Sequence, residues 1–418
     1  MSIVTRMSFD VPEPGLTPDQ IVARAVALRS QLRADQAGTE ARSRFSPEMH
    51  QAFTDAGFYR ILQPRMFGGY EFDLKTFYRT IIEIARGCPS SGWLLCLGAG
   101  HALQLGSSFS KKAQEEIFGP DGHFVAPLSV GNFPGQRPAR PVEGGYLVSG
   151  KWRYASGVPY STHFTGLADV DGADPAESRL VVLPRDQYQV VEDWGDLIGL
   201  KGSGSNSVVV DNAFVPAHHT VPVDQLMGEW PMTTSLLPGS AIHGNPMYSG
   251  GFMGFAIGEL TVVQVGAARG MLDLYEEMLG SMSITSMSGN VSTKRYLDHD
   301  FQRSFGMALG WVDGAHGIMM RAGEIYMDLA RHAVETGQQV PSAEHWRLYG
   351  MIQTAARLSW EAGELLFRTA GSGSAVDGKP MQRYWRDLCA FRSNSVHQFD
   401  FRSRAVTQAR FGVPIDRF

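Results

Sequence analysis

Twelve histidines are spread along the chain, more than any one site could use, so most must be surface or structural. Two stand apart. His101 lies in Pro89 to Ser110, a stretch without Asp, Glu, Lys or Arg, eight residues after Trp93. An imidazole there must be satisfied by a neighbour or face a cavity, and it is the side chain suited to proton transfer near neutrality. His397 lies in Ser393-Asn-Ser-Val-His-Gln-Phe399, a polar break late in the final helical region. Ser156 is a third candidate. It follows Trp152-Arg-Tyr154 and precedes Gly157, so a hydroxyl is presented where a strand ends and backbone can come close to a flat ligand. Each also has an ordinary structural explanation: a satisfied histidine for the first two, a plain turn for the third.

Signatures of other chemistries are missing. The sequence holds no G-x-S-x-G, no P-loop, no H-E-x-x-H and no G-x-G-x-x-G between a strand and a helix. Gly202-Ser-Gly204 precedes a β run and reads as a tight turn. Cys88, Cys96 and Cys389 have no short-range partner and no histidine at metal-ligand spacing, which argues against disulfides and zinc and points to a reducing cytoplasm. Lys+Arg 37 against Asp+Glu 42 leaves a net charge of −5, so no basic excess exists to hold a nucleic acid. Met1 to Pro14 lacks the apolar core of a signal peptide, so export is not expected. The uncharged Pro89 to Ser110 is long enough to span a bilayer, but its serines, glycines, His101 and Gln104 make it too polar. A helix buried among other helices is expected, with no membrane contact.

The elements that must position these residues can be read from pattern. Thr17-Pro18-Asp19-Gln20 offers an N-cap, a proline at the first helical position and a glutamine placed for a capping box, and Ser46-Pro47-Glu48 repeats that start. Helical patterning runs on to about Gly57, from Leu74 to Arg86, and through the uncharged stretch to a short amphipathic piece ending near Phe118. Between His123 and Trp230 the texture changes. Gly, Pro and Asp there punctuate short runs such as Gly145 to Tyr154, Arg179 to Leu183 and Ser207 to Asp211, which predict an antiparallel sheet or barrel. The helical period returns in Leu260, Val263, Ala267, Met271, Leu274 and Met278, and again from Leu348 to Leu365, predicting long helices in an antiparallel bundle. The expected division is an N-terminal helical domain (1–122), a middle β domain (123–235) and a C-terminal bundle (236–418). The small-residue run Ala267 to Gly270 has no polar face and suggests an oligomer, with a large monomeric core as the alternative.

The ordered set of segments resembles the acyl-CoA dehydrogenase superfamily. Within it the resemblance is to the oxygenase components of two-component, group D flavin-dependent monooxygenases, the kind that includes 4-hydroxyphenylacetate and steroid-ring hydroxylase oxygenases. It covers about Ser46 to the C-terminus. It rests on Phe67-Gly-Gly-Tyr70, Pro89-Ser-Ser-Gly-Trp93 leading to His101, Gly144 to Gly157, Gly199 to Val210 with Phe214-Val-Pro216, and Arg386-Asp387 followed by His397. The fold this implies is mainly α with a β insert: N-terminal helices, a middle antiparallel β domain and a C-terminal four-helix bundle, assembled as a homotetramer. The activity it implies uses reduced FMN or FAD from a separate flavin reductase. That flavin reacts with O2, through a flavin C4a-hydroperoxide, to hydroxylate an aromatic, phenol-like or polycyclic substrate.

The resemblance also implies roles. Ser156 is the hydroxyl that bonds flavin N5. His101 and Ser129 line the substrate side, where a phenolic oxygen would be held and deprotonated. His397 stands near the flavin edge for proton transfer. Trp152, Ser203 and Ser205 line the flavin, and Arg295, Arg383 and Arg386 meet its phosphate across a subunit interface. The stretch Leu237 to Met253 supplies a pocket without a cation, which favours a largely apolar substrate.

Two other readings compete. A dehydrogenase of the same superfamily needs a carboxylate base, and the stretch Leu388 to His397 where it usually lies holds no acid. Glu259 falls close to the alternative position and is expected to be a helix-surface or ion-paired glutamate. A non-catalytic helical scaffold is the third reading, which retention of flavin would argue against.

Overall fold

The computed structural model describes residues 10–119, 121–130, 136–174, 176–224, 237–285, 292–338, 340–394 and 398–415. Six helices come first: α1 Pro18–Ala34, α2 Gln36–Ala41, α3 Pro47–Asp55, α4 Leu74–Gly87, α5 Pro89–Ser108 and α6 Lys111–Phe118. Thr17 caps α1 with the full capping box and Ser46 caps α3, as their sequence signals require. All twenty residues of α5 are buried, as its lack of charge predicts. None of the described helices is long and apolar enough to cross a membrane.

The middle of the chain forms β1 Leu128–Ser129, β2 Pro138–Val142, β3 Gly145–Trp152, β4 His163–Val170, β5 Ser178–Pro184, β6 Gln189–Val191, β7 Ser207–Pro216 and β8 Thr220–Pro222. They make one sheet in the order β6-β7-β3-β2-β4-β5-β8, with β1 beside β4. Most neighbours are antiparallel, but β2 and β1 both pair β4 in parallel, which departs from the purely antiparallel expectation. The reason is that β2 and β3 close a hairpin and the chain then returns along the other side of β2. Against Ser149, β7 places two residues, Asp211 and Asn212, and Asn212 takes the left-handed φ of 50° such a bulge uses.

The C-terminal part holds the short α7 Gly239–His243 and the long α8 Phe252–Ser281, α9 His299–Thr336 and α10 Ser342–Ala370, then α11 Pro380–Arg392 and α12 Phe399–Arg410. A small ribbon of β9 Ser283–Thr285 and β10 Ser292–Lys294 follows α8. One buried cluster runs from Ile21 and Phe77 in the first helices to Val263, Met319 and Ile352 in the bundle. The sheet has its own core around Trp152, Phe164 and Val181. A third cluster joins Ala102 and Leu105 of α5 to Leu180 and Val182 of β5, so α5 is the joint between sheet and helices.

Within the run, Ala267, Ala268 and Gly270 are buried by this chain alone, while Arg269 is half-buried and paired with Asp313. At Gly270 a β-carbon would meet the Tyr384 ring at 2.4 Å and the Arg86 carbonyl at 2.6 Å, so the run needs no second subunit.

Candidate active site

One face of α5 gathers the polar groups. Trp93, Leu97, His101 and Gln104 recur at spacings of four, four and three, so they line one stripe, with Gly100 beside them. At one end the indole Nε1–H of Trp93 donates to Ser156 Oγ at 2.9 Å. Ser156 Oγ lies 2.6 Å from Ser205 Oγ, which lies 2.8 Å from Ser203 Oγ. Ser156 sits in the turn after β3, and Gly157 makes that turn possible with a φ of 98°. A β-carbon on Gly157 would come within 3.2 Å of the backbone of Gly98 on α5, so the glycine lets the turn lie against the helix. A hydroxyl can donate once and accept twice, so Ser156 has capacity for one further partner.

The turn opens on a cleft of about 140 Å³ beside Ser205, walled by Arg153, Tyr154, Trp194 and Leu197. Tyr154 has a left-handed φ of 60°, unusual for an aromatic residue, and its carbonyl accepts from Ser156 N–H at 3.0 Å. Trp194 meets the Tyr154 ring edge-on.

Further along the stripe, His101 Nδ1 lies 2.8 Å from the Ala126 carbonyl, which can only accept, so Nδ1 carries a hydrogen. Nε2 then faces Glu259 Oε1 of α8 at 3.5 Å. His101, Glu259 and Gln104 are each 3 % exposed. Burial raises the Glu259 carboxyl and the nearby imidazole only partly opposes it. Burial lowers His101, but Glu259 and the Ala126 carbonyl together outweigh it, so its pKa is raised as well. Glu259 Oε2 and both amide atoms of Gln104 are buried without a hydrogen-bond partner. Glu259 is thus no surface residue: it faces His101 from inside the fold.

The structure redistributes several other expected residues. Ser129 Oγ donates to the Arg153 carbonyl at 2.7 Å, so its hydroxyl hydrogen braces the turn that carries Ser156. Trp152 has no accessible surface. Its Nε1–H donates to the Leu167 carbonyl at 2.8 Å inside the sheet, and a side chain with no surface in the ligand-free chain cannot touch a flavin without moving. The same holds for Ser203, which reaches the site only through Ser205. Arg383 and Arg386 are both bound by Glu40 of this chain, at 3.2 and 2.7 Å, and Arg386 also donates to the Ile198 carbonyl, so both are already held internally, two guanidinium groups on one carboxylate. Arg295 donates to the Ala370 carbonyl at 3.1 Å and lies over the Phe301 ring. His397 lies outside the described residues.

Beside that arginine pair, Asp387 accepts from the Leu200 N–H at 2.5 Å and so anchors the loop that leads to Ser203 and Ser205. Burial pushes its carboxyl up to about 7. Sequence reasoning did not assign roles to Trp93, Gln104 or Glu40, nor foresee the pairing of Glu259 with His101. The helical spacing of Trp93, His101 and Gln104 was the available signal. Away from the site, Glu116 Oε2 joins His218 Nε2 and His219 Nε2 at 2.6 and 2.7 Å on the surface, where the three satisfy one another.

Comparison with known proteins supports one lineage. Residues 260–399 match the family described as acyl-CoA dehydrogenase, C-terminal domain. Over 402 residues the chain is 28 % identical to the flavin-dependent monooxygenase, oxygenase subunit HsaA, of Rhodococcus jostii, covering 94 % of this chain and 98 % of that protein. It is 25 % identical over 411 residues to the oxygenase component of an FADH(2)-dependent resorcinol hydroxylase from a Rhizobium species, covering 96 % and 97 %. The crystal structure of 3-HSA hydroxylase from a Rhodococcus species matches with a TM-score of 0.83 at 27 % identity, covering 95 % of this chain and 98 % of that one.

Proposed function

We infer that this chain, a member of the acyl-CoA dehydrogenase superfamily, is the oxygenase component of a two-component flavin-dependent monooxygenase that hydroxylates an aromatic substrate. The observation that carries the reading is the end-to-end similarity to such oxygenase subunits, combined with a serine hydroxyl network at a strand end and a buried histidine on the adjoining helix. An open cleft beside Ser205 and a Ser156 hydroxyl with bonding capacity left support the reading.

Bound reduced flavin, FMN or FAD, supplies the electrons that activate O2; the protein supplies placement, dryness and protons. Ser156, steadied by Trp93 and Ser205, would meet the flavin edge. His101, whose Nδ1–H is fixed on Ala126, presents Nε2 as the atom that accepts a proton from a phenolic oxygen. The full burial of α5 keeps bulk water from this face. His397 is proposed for proton transfer at the flavin edge and Arg295 for flavin phosphate, both on the resemblance alone.

The reading includes a separate reductase that delivers reduced flavin by diffusion, and a reducing cytoplasm in which the three free cysteines persist as thiols. It also includes a homotetramer, for which exposed Met307 and Leu309 of α9, with Tyr296 and Leu297 just before it, supply apolar surface. Light scattering on the purified protein should give four chains per particle. Dehydrogenation of an acyl thioester is disfavoured because the stretch Leu388 to His397 holds no carboxylate to serve as its base.

The deciding experiment mixes protein loaded anaerobically with reduced FMN or FAD with ¹⁸O2 and a phenol. One ¹⁸O atom in the product supports the reading. Unlabelled phenol, together with bleaching of oxidised flavin by an acyl-CoA, would overturn it.

A further inference from the structure

We propose that Glu259 is a positioning and specificity-determining residue: it orients His101 and, with Gln104, forms a polar end of the substrate chamber that takes a hydrogen-bond-donating group of an uncharged ring compound and rejects a carboxylate. This rests on the monooxygenase reading of the same site. Glu259 reaches α5 because residue 100 is glycine; a β-carbon there would sit 2.5 Å from Glu259 Oε2 and 2.8 Å from Phe255. Oε1 faces His101 Nε2 at 3.5 Å, while Oε2 has no partner. Gln104 lies one turn beyond Gly100 on the same face, and both its amide atoms lack partners too.

Three unpaired polar atoms on one buried surface are costly, about 1–3 kcal/mol each, unless something pairs them. A hydroxyl or N–H group of a ligand would do so, donating to Glu259 and exchanging hydrogen bonds with the Gln104 amide. A ligand carboxylate would instead set a second acidic group against Glu259, and two such groups on one buried surface cannot both be ionised without a cation beside them. Neither α5 nor the stretch 237–253 contains a lysine or arginine to compensate it.

The test titrates 2-naphthol and 6-hydroxy-2-naphthoate, at pH 7, into the protein loaded anaerobically with reduced flavin and into the flavin-free protein, following ligand fluorescence. Binding of the reduced flavin is recorded separately. In the wild type 2-naphthol should bind at least about tenfold more tightly than the naphthoate, as expected when one like-charge contact is desolvated. Glu259→Gln should narrow that ratio below about threefold, chiefly by admitting the naphthoate. Gln104→Leu should weaken 2-naphthol about fivefold and leave the discrimination in place. A Glu259 that served only folding would weaken both ligands alike without moving the ratio. A wild-type ratio near one, a ratio unmoved in Glu259→Gln, or no saturable binding of 2-naphthol overturns the proposal. If Glu259→Gln does not fold, the wild-type ratio and Gln104→Leu decide it. Reduced-flavin binding without discrimination would sink this inference and leave the monooxygenase reading standing; discrimination without reduced-flavin binding would do the reverse.

Discussion

The indole N–H of Trp93 and the hydroxyl of Ser156 are joined by a 2.9 Å hydrogen bond across 63 residues of sequence. That bond fastens the buried helix to the end of the sheet. It also sets the direction of the hydroxyl network, because an indole N–H can only donate and Ser156 must accept.

Ser156→Ala removes that acceptor and the link to Ser205. It leaves a buried donor on Trp93, for which a stability loss of about 1–2 kcal/mol is expected. In turnover, less O2 should end in product and more in H2O2, since the hydroxyl that steadies the flavin edge is gone. Thermal denaturation with a peroxide-to-product ratio checks both parts; an unchanged ratio would remove Ser156 from the flavin site.

His101→Ala is expected to lower product formation by about 10²-fold or more while O2 consumption continues, the usual scale for a lost acid–base group. It also leaves Glu259 buried and alone, so burial raises its carboxyl without opposition from His101. A carboxyl raised in the folded state keeps its proton while the unfolded chain loses it, so the variant's stability relative to wild type should fall as pH rises from about 4.5 toward neutrality. A wild-type-minus-variant difference in Tm that is flat over that range would refute the pairing.

Much of this was readable locally. The caps at Thr17 and Ser46, the burial of α5 and the Ser156-Gly157 turn all follow from neighbours in sequence, which is where capping, charge content and turn chemistry act. Even the place of Trp152 was available: alternation along β3 sets it on the same inward face as Val148, in the sheet core rather than at a flavin. The partners were not readable. Glu40 meets Arg383 and Arg386 from more than 300 residues away, and no spacing rule relates such groups. The parallel β2 and β4 pair was hidden for a related reason, because hairpin signals name the turn but not the side on which the next strand returns.

Glu40→Gln should destabilise the fold by about 2–3 kcal/mol, less than a fully buried pair because these side chains retain some exposure. The variant leaves two guanidinium groups near the loop that leads to Ser205, and free phosphate should partly restore its Tm. Restoration by phosphate but not by chloride at equal ionic strength would confirm that Glu40 holds a paired cation site; a Tm like wild type without added salt would show the pairs to be unimportant.

Asp387 offers the clearest pH signature. It accepts from Leu200 N–H, and burial, the largest influence, pushes its carboxyl up to about 7 despite that bond and the nearby arginines. Below about pH 4 both folded and unfolded chains hold the proton. Between there and neutrality the unfolded chain releases it while the folded chain retains it, so stability contributed at low pH is lost as pH rises through this window. Asp387→Asn keeps a carbonyl for Leu200 and has nothing to titrate. Relative to wild type, its Tm should therefore climb steadily from pH 4 to pH 7 and level off above, reflecting a total stability change on the order of 2–4 kcal/mol. A relative Tm that is instead flat across that window would mean that Asp387 is ionised in the folded protein, held by Arg383 and Arg386. The loop carrying Ser203 and Ser205 would then be anchored by charge rather than by a neutral hydrogen bond.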